Sequence, residues 1–318
     1  MKKFLYNILS FAIVILLVTV LIEFLLFLRP NLYSYKREYV ETHINDITCL
    51  LLGNSHIEEA LNPGLMGRGV FNMAISGRAP IYDIELAKRY VPDMKHLEAL
   101  VIPLDYTRFS LGRGMGNPNE KKRPDGMEST YKCMYYKYMG IHVDEWWYWS
   151  EFINSKLNFM KRFTMNDEDA RECDSLGYVP LELEKRVANW KYRALPNIID
   201  TAKEIDKEKY DLLCEQYRLL ARLTAERNAR LVLLGTPMYK TYHEGMNEKV
   251  VGEIKAFVAM LRKEFPHVEY YDYSFDKRFG EDDFNDASHL TVNGAVKFSN
   301  MIKEEVLGRV PYVPKKQE

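Results

Sequence analysis

The chain has 318 residues, of which 47% are hydrophobic and 28% charged, and its formal net charge is −1 at pH 7. This is the composition of an ordinary globular protein, and the length suffices for one large domain or one domain with an insertion. Because nucleic-acid-binding proteins carry an excess of basic residues, the near-neutral charge predicts no nucleic-acid partner.

The amino-terminal segment has the composition of a membrane-spanning helix. Residues 4–28 are predominantly apolar and contain one charged residue, Glu23. At about 1.5 Å per residue, a helix of this length crosses the roughly 30 Å hydrocarbon core of a bilayer. Lysines at positions 2 and 3 precede it, so the positive-inside rule places the amino terminus in the cytoplasm and the rest of the chain outside.

A cleaved signal peptide is the alternative interpretation of this segment. Signal peptides have a shorter apolar region of about 7–15 residues, followed by a cleavage site of small residues. The apolar run here is longer, and residues 28–31 (Leu-Arg-Pro-Asn) offer no such site. We therefore interpret residues 1–29 as a short cytoplasmic end and an uncleaved anchor, and predict a single-pass protein with an extracytoplasmic (periplasmic or cell-surface) domain.

Short apolar strands alternate with amphipathic helices in the remainder of the chain. The strands are predicted at residues 48–52, 70–75, 99–104, 231–234 and 268–271, and the helices at 80–90, 207–228, 247–265 and 292–307. This alternation predicts an α/β fold, a three-layer structure with a parallel sheet flanked by helices. We expect the domain to cover residues 47–308, after a polar stalk at 30–46 and before a tail at 309–318.

Residues 109–200 do not follow the alternation and predict a mostly helical insertion. Their aromatic residues are Tyr131, Tyr135, Tyr136, Tyr138, Trp146, Trp147, Tyr148, Trp149, Phe152 and Phe159. Three interpretations of these aromatics remain open: a small core for the insertion, a wall on which sugar rings pack, or a belt at the membrane interface.

The four cysteines, Cys49, Cys133, Cys173 and Cys214, are widely spaced. Without a Cys-x-x-Cys motif or a Cys/His cluster, no structural zinc site is expected. Cys49 and Cys214 are predicted to be unpaired core residues. The pair Cys133–Cys173 is the one candidate disulfide, since an exported domain can form such bonds.

Two distant segments carry the residues of a nucleophilic site. Gly53-Asn54-Ser55-His56 follows the first predicted strand, and Asp286-Ala287-Ser288-His289 precedes the last predicted helix. A serine hydroxyl needs a base to take its proton as it attacks an acyl carbon, and His289 can be that base. Asp286 can accept the other imidazole N–H and hold the ring in one tautomer.

Backbone N–H groups can supply the oxyanion hole of such a site. The N–H of Ser55 would lie at the start of a helix, and Gly77 follows the second predicted strand, where the absence of a side chain lets its backbone approach a ligand. Because functional sites of parallel sheets gather at the carboxyl ends of strands, these positions agree with the predicted fold. The alternative interpretation is that Ser55, Asp286 and His289 only cap helices.

These segments resemble the SGNH (GDSL-like) hydrolase superfamily. The resemblance rests on Gly53-Asn54-Ser55-His56, on residues 72–77 (Asn-Met-Ala-Ile-Ser-Gly), and on residues 286–290 (Asp-Ala-Ser-His-Leu) with Gly294. It covers residues 47–108 and 207–307, and implies an SGNH/flavodoxin-like fold. By residue, it implies Ser55 as nucleophile, Gly77 as oxyanion donor, and Asp286 with His289 as the base pair.

One block departs from the pattern of that superfamily. An asparagine that donates to the oxyanion usually follows the third strand, but residues 103–108 here read Pro-Leu-Asp-Tyr-Thr-Arg. Tyr106, Thr107 or Arg108 could donate instead, and Tyr106 is our candidate. We also expect substrate contacts from His56, Asn72 and Asp105.

An anchor joined to such a domain resembles the membrane-tethered proteins of the DltD and alginate-acetylation type. That resemblance implies acyl transfer onto cell-envelope polymers beside a membrane-bound O-acyltransferase. We therefore expect a serine esterase or O-acyltransferase that acts on an acylated glycan or a small ester and requires no metal or organic cofactor. The alternative is an inactive module that binds a glycan or the acyltransferase.

Overall fold

A computed structural model of the protein describes residues 2–104, 106, 128–143, 145–155, 159–193 and 207–308. The described residues divide into two compact units. The first lies within residues 1–39 and 119–172, and the second within 40–118 and 173–318. Parts of the predicted insertion, among them residues 109–127 and 194–200, and the predicted tail, 309–318, lie outside the described residues.

The second unit is built on a parallel sheet of five strands. The strands are β1 (Cys49–Leu51), β2 (Val70–Asn72), β3 (Ala99–Pro103), β4 (Arg230–Gly235) and β5 (Val268–Asp272). They pair in the order β2-β1-β3-β4-β5. Every residue of β1 to β4 is buried, as expected for a sheet covered on both faces. The predicted α/β fold is confirmed.

Both units contain helices, and the periodicity of apolar residues predicted four of them, at 80–90, 207–228, 247–265 and 292–307. The helices are α1 (Lys2–Phe27), α2 (Leu32–Thr42), α3 (Ser55–Glu58), α4 (Pro63–Met66), α5 (Pro80–Tyr90), α6 (Glu128–Met139), α7 (Glu151–Asn154), α8 (Phe159–Thr164), α9 (Asp167–Arg171), α10 (Lys207–Glu226), α11 (Lys240–Glu244), α12 (Glu248–Glu264) and α13 (Val292–Ile302). In α12 the buried side chains recur at helical spacing, which explains why its prediction succeeded: Val250, Ile254, Phe257, Val258 and Leu261.

The strand order changes direction beside β1, because β2 lies on one side of β1 and β3 on the other. In open α/β sheets this switch point is where ligands bind. Gly53 follows β1 with φ of +143°, and a Cβ atom there would lie 2.7 Å from Pro103 Cδ and 2.9 Å from Ile57 Cγ1. Only glycine fits this turn, which directs the chain into α3 at the switch point.

The predicted polar stalk is instead helical over Leu32–Thr42. Asn31 stabilises the start of this helix, since its Oδ1 accepts hydrogen bonds of 3.0 Å from the backbone N–H groups of Tyr33 and Ser34. Tyr33 packs edge-on against Tyr135 at 5.1 Å between ring centroids. The segment therefore has apolar packing partners that its polar composition did not indicate.

Within the described part of the chain, α1 is the one helix long and apolar enough to cross a membrane. Its most apolar window has a mean hydropathy of 2.9. By length and composition alone, a signal sequence near an amino terminus meets the same criterion.

No disulfide joins any of the four cysteines, all of which lie within the described residues, so the candidate bridge Cys133–Cys173 is not formed. Cys49, Cys133 and Cys214 are buried. Burial raises the pKa of the Cys49 and Cys133 thiols to about 12. These two thiols therefore behave as small apolar core groups.

Candidate active site

Ser55 is the first residue of α3, directly after the Gly53 turn. The helix is capped by Asn54, whose Oδ1 accepts a 3.2 Å hydrogen bond from the backbone N–H of His56. Capping therefore does not occupy the serine hydroxyl, in contrast to the alternative interpretation. The Oγ atom of Ser55 lies 2.8 Å from Nε2 of His289, although the two residues are 234 positions apart.

The second half of the site is a tight loop before α13. The Asp286 Oδ1 atom accepts hydrogen bonds from the backbone N–H groups of Ser288, at 2.8 Å, and His289, at 3.0 Å. Nδ1 of His289 lies 2.8 Å and 2.9 Å from the two carboxylate oxygens. The side chain of Thr291 caps α13, so neither Asp286 nor His289 is needed for that role.

Asp286 and His289 shift each other's pKa. Burial raises the pKa of Asp286, but its hydrogen bond with His289 and the charge of the imidazolium outweigh this effect and hold that pKa well below its usual range. Burial lowers the pKa of His289, but the hydrogen bond and charge of Asp286 outweigh it and raise the pKa to about 9. Nδ1–H therefore faces Asp286, and Nε2 faces the serine.

The side chains of Glu58, the last residue of α3, and of Glu59, which follows it, hold the loop after β2. Glu58 Oε2 accepts a 2.7 Å hydrogen bond from the backbone N–H of Ser76, and Glu59 Oε1 accepts a 2.9 Å bond from the Ser76 hydroxyl. The next residue, Gly77, has φ of +72°. These hydrogen bonds fix the position of the Ser76–Gly77 turn relative to α3. That Gly77 and Ser55 donate to an oxyanion stays a prediction.

Glu59 is also a member of the site that the motif did not reveal. Its Oε2 atom lies 3.9 Å from Nε2 of His289, on the same side as Ser55. Burial raises the pKa of Glu59, although the charge of His289 opposes this. The spacing of four residues between Ser55 and Glu59 was the available signal, because residues so spaced share a helix face.

The other predicted site residues have mixed positions. His56 is buried and its ring meets that of His289 edge-on, with 5.1 Å between centroids. The Tyr106 hydroxyl accepts a 2.9 Å hydrogen bond from the backbone N–H of Asn247, at the amino end of α12. Asp105, Thr107 and Arg108 lie outside the described residues.

We expected Asn72 to contact substrate, which stays a prediction; the structure shows the contacts of its side chain within the protein. The side chain is fully buried at the end of β2. Its Nδ2 donates to the carbonyl oxygens of Ile57 and Leu61, at 3.1 Å and 2.9 Å, and its Oδ1 accepts a bond from Ala74 N–H. Asn72 thus ties the segment after Ser55 to the sheet.

No cluster of three or more His, Cys, Asp or Glu side chains is placed to hold a metal ion within the described ranges. A hydroxyl, an imidazole and a carboxylate in a continuous line can remove a proton from the hydroxyl and stabilise the resulting imidazolium.

No protein-family profile matches the sequence, and no curated protein matches it. Among solved structures, the chain is similar to a Streptococcus pneumonia protein provisionally named a platelet activating factor. The two are 12% identical, with a TM-score of 0.36 over 85% of this chain and 92% of the other. A similarity of this size carries no argument about the site or the activity.

Proposed function

We propose that the protein is a serine esterase or O-acyltransferase whose catalytic residues are Ser55, His289 and Asp286. One observation carries the proposal: Ser55 Oγ lies 2.8 Å from His289 Nε2, and His289 Nδ1 lies 2.8 Å from Asp286 Oδ1. Separations of this size allow the proton transfers of acyl transfer. Three side chains from two distant segments must be positioned together to give this line of contacts.

The reaction begins when neutral His289 takes the proton of the Ser55 hydroxyl as Oγ attacks the acyl carbon of an ester. The negative charge that develops on the carbonyl oxygen is received by the backbone N–H groups of Ser55 and Gly77 in this proposal. His289 then returns the proton to the departing alcohol, and an acyl group remains on Ser55. Asp286 stabilises the imidazolium throughout and is not itself protonated.

Water or a second alcohol completes the reaction by attacking the acyl-enzyme. Water gives an esterase, whereas a glycan hydroxyl gives a transferase, and the same three residues serve both. An exported, anchored domain would meet acylated envelope glycans, and α1 has the length and composition of such an anchor. We include transfer beside a membrane-bound O-acyltransferase in the proposal on this ground and on the resemblance to DltD-type proteins.

Hydrolysis of a short-chain p-nitrophenyl ester by the purified full chain tests the proposal. We expect Ser55→Ala to lower kcat/KM at least about 10³-fold. Ser175→Ala, which changes an exposed serine, should leave the rate unchanged and serves as the control. Equal rates for the natural protein and Ser55→Ala would overturn the assignment of the nucleophile.

An inactive binding module is the second candidate, and Glu59 is the observation that favours it. A negative charge 3.9 Å from Nε2 of His289 opposes the formation of a nearby oxyanion. A fluorophosphonate probe distinguishes the two candidates, since it modifies only an activated serine. Labelling of the natural protein but not of Ser55→Ala supports the enzyme, whereas an unlabelled folded protein supports the binding module.

A further inference from the structure

Glu23 lies near the carboxyl end of the apolar helix α1, yet its side chain is almost completely buried. Lys137 pairs with Glu23 Oε2 at 2.6 Å. The Ser150 hydroxyl and the backbone N–H of Phe152 donate to Glu23 Oε1, at 2.6 Å and 2.8 Å. All these donors come from one stretch of the first unit, residues 128–172, which we call the insertion module.

Further contacts hold the insertion module on the last turns of α1. Arg162 Nη2 donates to the carbonyl oxygens of Leu26 and Arg29, at 2.9 Å and 2.7 Å, and Arg29 Nε donates to the Arg162 carbonyl at 3.1 Å. Phe27 stacks on Tyr138. Since α1 rises about 1.5 Å per residue, these contacts and those of Glu23 lie within about 9 Å along the helix axis. The module therefore contacts the chain from Glu23 to Arg29, at the carboxyl end of α1.

The charge of Glu23 explains why the module must reach this level. A carboxylate in the hydrocarbon part of a bilayer costs several kcal/mol unless it is paired and hydrogen-bonded. The module supplies the cation and the N–H and O–H donors that Glu23 needs. It must therefore extend at least to the depth of Glu23, about one helical turn below the end of the apolar stretch.

The insertion module buries part of its aromatic side chains in a core but exposes other large apolar side chains. Tyr135 and Tyr138 on α6 are buried, whereas Trp146, Ile153 and Met160 are 76%, 62% and 59% exposed. The three exposed residues belong to the turn Trp146–Trp149, to α7 and to α8. Soluble surfaces rarely collect such residues, while tryptophan is enriched where membranes meet water.

We propose that the insertion module rests in the interfacial layer of a lipid bilayer, with Trp146, Ile153 and Met160 inserted among the headgroups and upper acyl chains. The proposal rests on the proposed membrane anchoring by α1. Two observations carry it: the module is bound to α1 at the level of Glu23, and it exposes large apolar side chains on the segments that contain Trp146, Ile153 and Met160. The aromatics of the insertion thus divide between a core and a membrane belt.

Fluorescence quenching in proteoliposomes tests the proposal with the full chain. The protein has four tryptophans, three of them at positions 146, 147 and 149 and the fourth Trp190. Trp190→Phe reports the module alone, and the triple variant W146F/W147F/W149F reports Trp190 alone. In phosphatidylcholine vesicles with bromine on the upper acyl chain, we expect emission of the first variant to fall at least about two-fold and that of the second to change little.

A charge placed in the exposed apolar set provides a second measurement. In the Trp190→Phe background, Ile153→Asp should weaken quenching by brominated lipid at least about two-fold, because aspartate disfavours the interface. Val187→Asp, which changes an exposed valine of the second unit, should not. An Ile153→Asp variant that is quenched as strongly as its parent overturns the proposal.

Three other results would contradict the inference and identify what fails. Protein that does not float with carbonate-washed vesicles refutes the anchoring as well. Protein that floats but whose module tryptophans are quenched only by aqueous acrylamide refutes the interfacial position alone. Module tryptophans shielded from both quenchers indicate that another protein or a second copy covers this surface in place of lipid.

Discussion

Each unit of the protein contains a cluster of charged side chains, Glu23 with Lys137 in the first unit and Asp286 with His289 in the second. The two clusters differ in how far their side chains are exposed to solvent. In the first unit, both oxygens of Glu23 accept bonds from protein donors, and the paired Lys137 side chain is 0% exposed. In the second, the side chains of Asp286 and His289 are 15% and 24% exposed. The first cluster is closed, and the second is open to solvent.

This difference separates a structural cluster from a chemical one. Strong ion pairs in a closed cluster hold segments together, and removing one partner leaves a buried charge without compensation. In the open cluster, the strong Asp286–His289 pair orients a ring whose other nitrogen faces a hydroxyl that a substrate can reach. Substitutions should therefore change stability in the first cluster and reaction rate in the second.

The largest expected effect is on the open cluster. His289→Ala removes the base, so kcat/KM for a short-chain p-nitrophenyl ester should fall at least about 10³-fold, equivalent to about 4 kcal/mol. The thermal midpoint should fall less than in the closed cluster, since the Asp286 carboxylate that loses its partner is 15% exposed to solvent. His96→Ala, at an exposed histidine, is the matched control. A variant that unfolds instead of losing turnover would place His289 among structural residues.

The closed cluster should respond in the opposite way. Lys137→Met leaves the Glu23 carboxylate buried without its cation, so we expect the free energy of unfolding to fall by about 3 kcal/mol. The double variant Glu23→Gln/Lys137→Met should recover part of this loss, because no unpaired charge remains. Chemical denaturation in detergent micelles measures both, and ester turnover by the folded fraction should be unchanged. A Lys137→Met protein as stable as its parent would contradict the structural role.

Asn72→Ala tests the structural role of that residue against its expected contact with substrate. The substitution removes donors to the Ile57 and Leu61 carbonyl oxygens and should cost about 2 kcal/mol of unfolding free energy, measured with urea. Because the Asn72 side chain is fully buried, a purely structural role predicts that KM of the folded enzyme stays constant. A raised KM with unchanged stability would support our sequence-based expectation of substrate contact.

The smallest effect expected is on the pH dependence of the open cluster. Only neutral His289 can take the serine proton, and its pKa is raised to about 9, so kcat/KM should rise with pH and level off above about pH 9. The charge of Glu59 helps to raise this pKa, so Glu59→Gln should lower it. The rising part of the kcat/KM profile should then move toward lower pH by less than about one unit.

Lys191, an exposed cation paired with Glu281, gives the control for this shift. Lys191→Gln removes a charge of opposite sign without touching the catalytic pair, and its pH profile should match that of the natural protein. A Glu59→Gln profile that does not move, or that moves toward higher pH, would show that Glu59 does not act on His289.

Several features of the fold and site were accessible from the sequence because their signal is local. Buried strands such as β4 appear as continuous apolar runs, and helices such as α12 show apolar residues at helical spacing. Ser55 was found because it follows a buried strand, at the edge of the sheet where parallel α/β folds collect functional residues, and His289 because Asp286 precedes it by three residues. Their predicted roles followed from the need of a serine nucleophile for a base and from the resemblance to the SGNH superfamily.

Other features depend on contacts between segments that no local pattern records. In the sequence, Glu59 has the position of an ordinary helix carboxylate, and Asn72 that of a polar residue at the end of a strand. Glu23 is a single charge within an apolar run. In the structure, Glu59 lies 3.9 Å from His289, and the Asn72 side chain donates hydrogen bonds to backbone carbonyl oxygens. Glu23 pairs with Lys137, which is 114 positions away in the sequence.

The sequence by itself therefore determined the α/β class, the apolar amino-terminal helix and the identity of the candidate triad. Only the tertiary structure decided which polar groups form hydrogen bonds within the protein and which remain accessible to solvent. The physical reason is that the fate of a polar side chain is set by the donors and acceptors that surround it after folding. Those partners come from distant parts of the chain, whereas periodicity reports only whether a position is apolar.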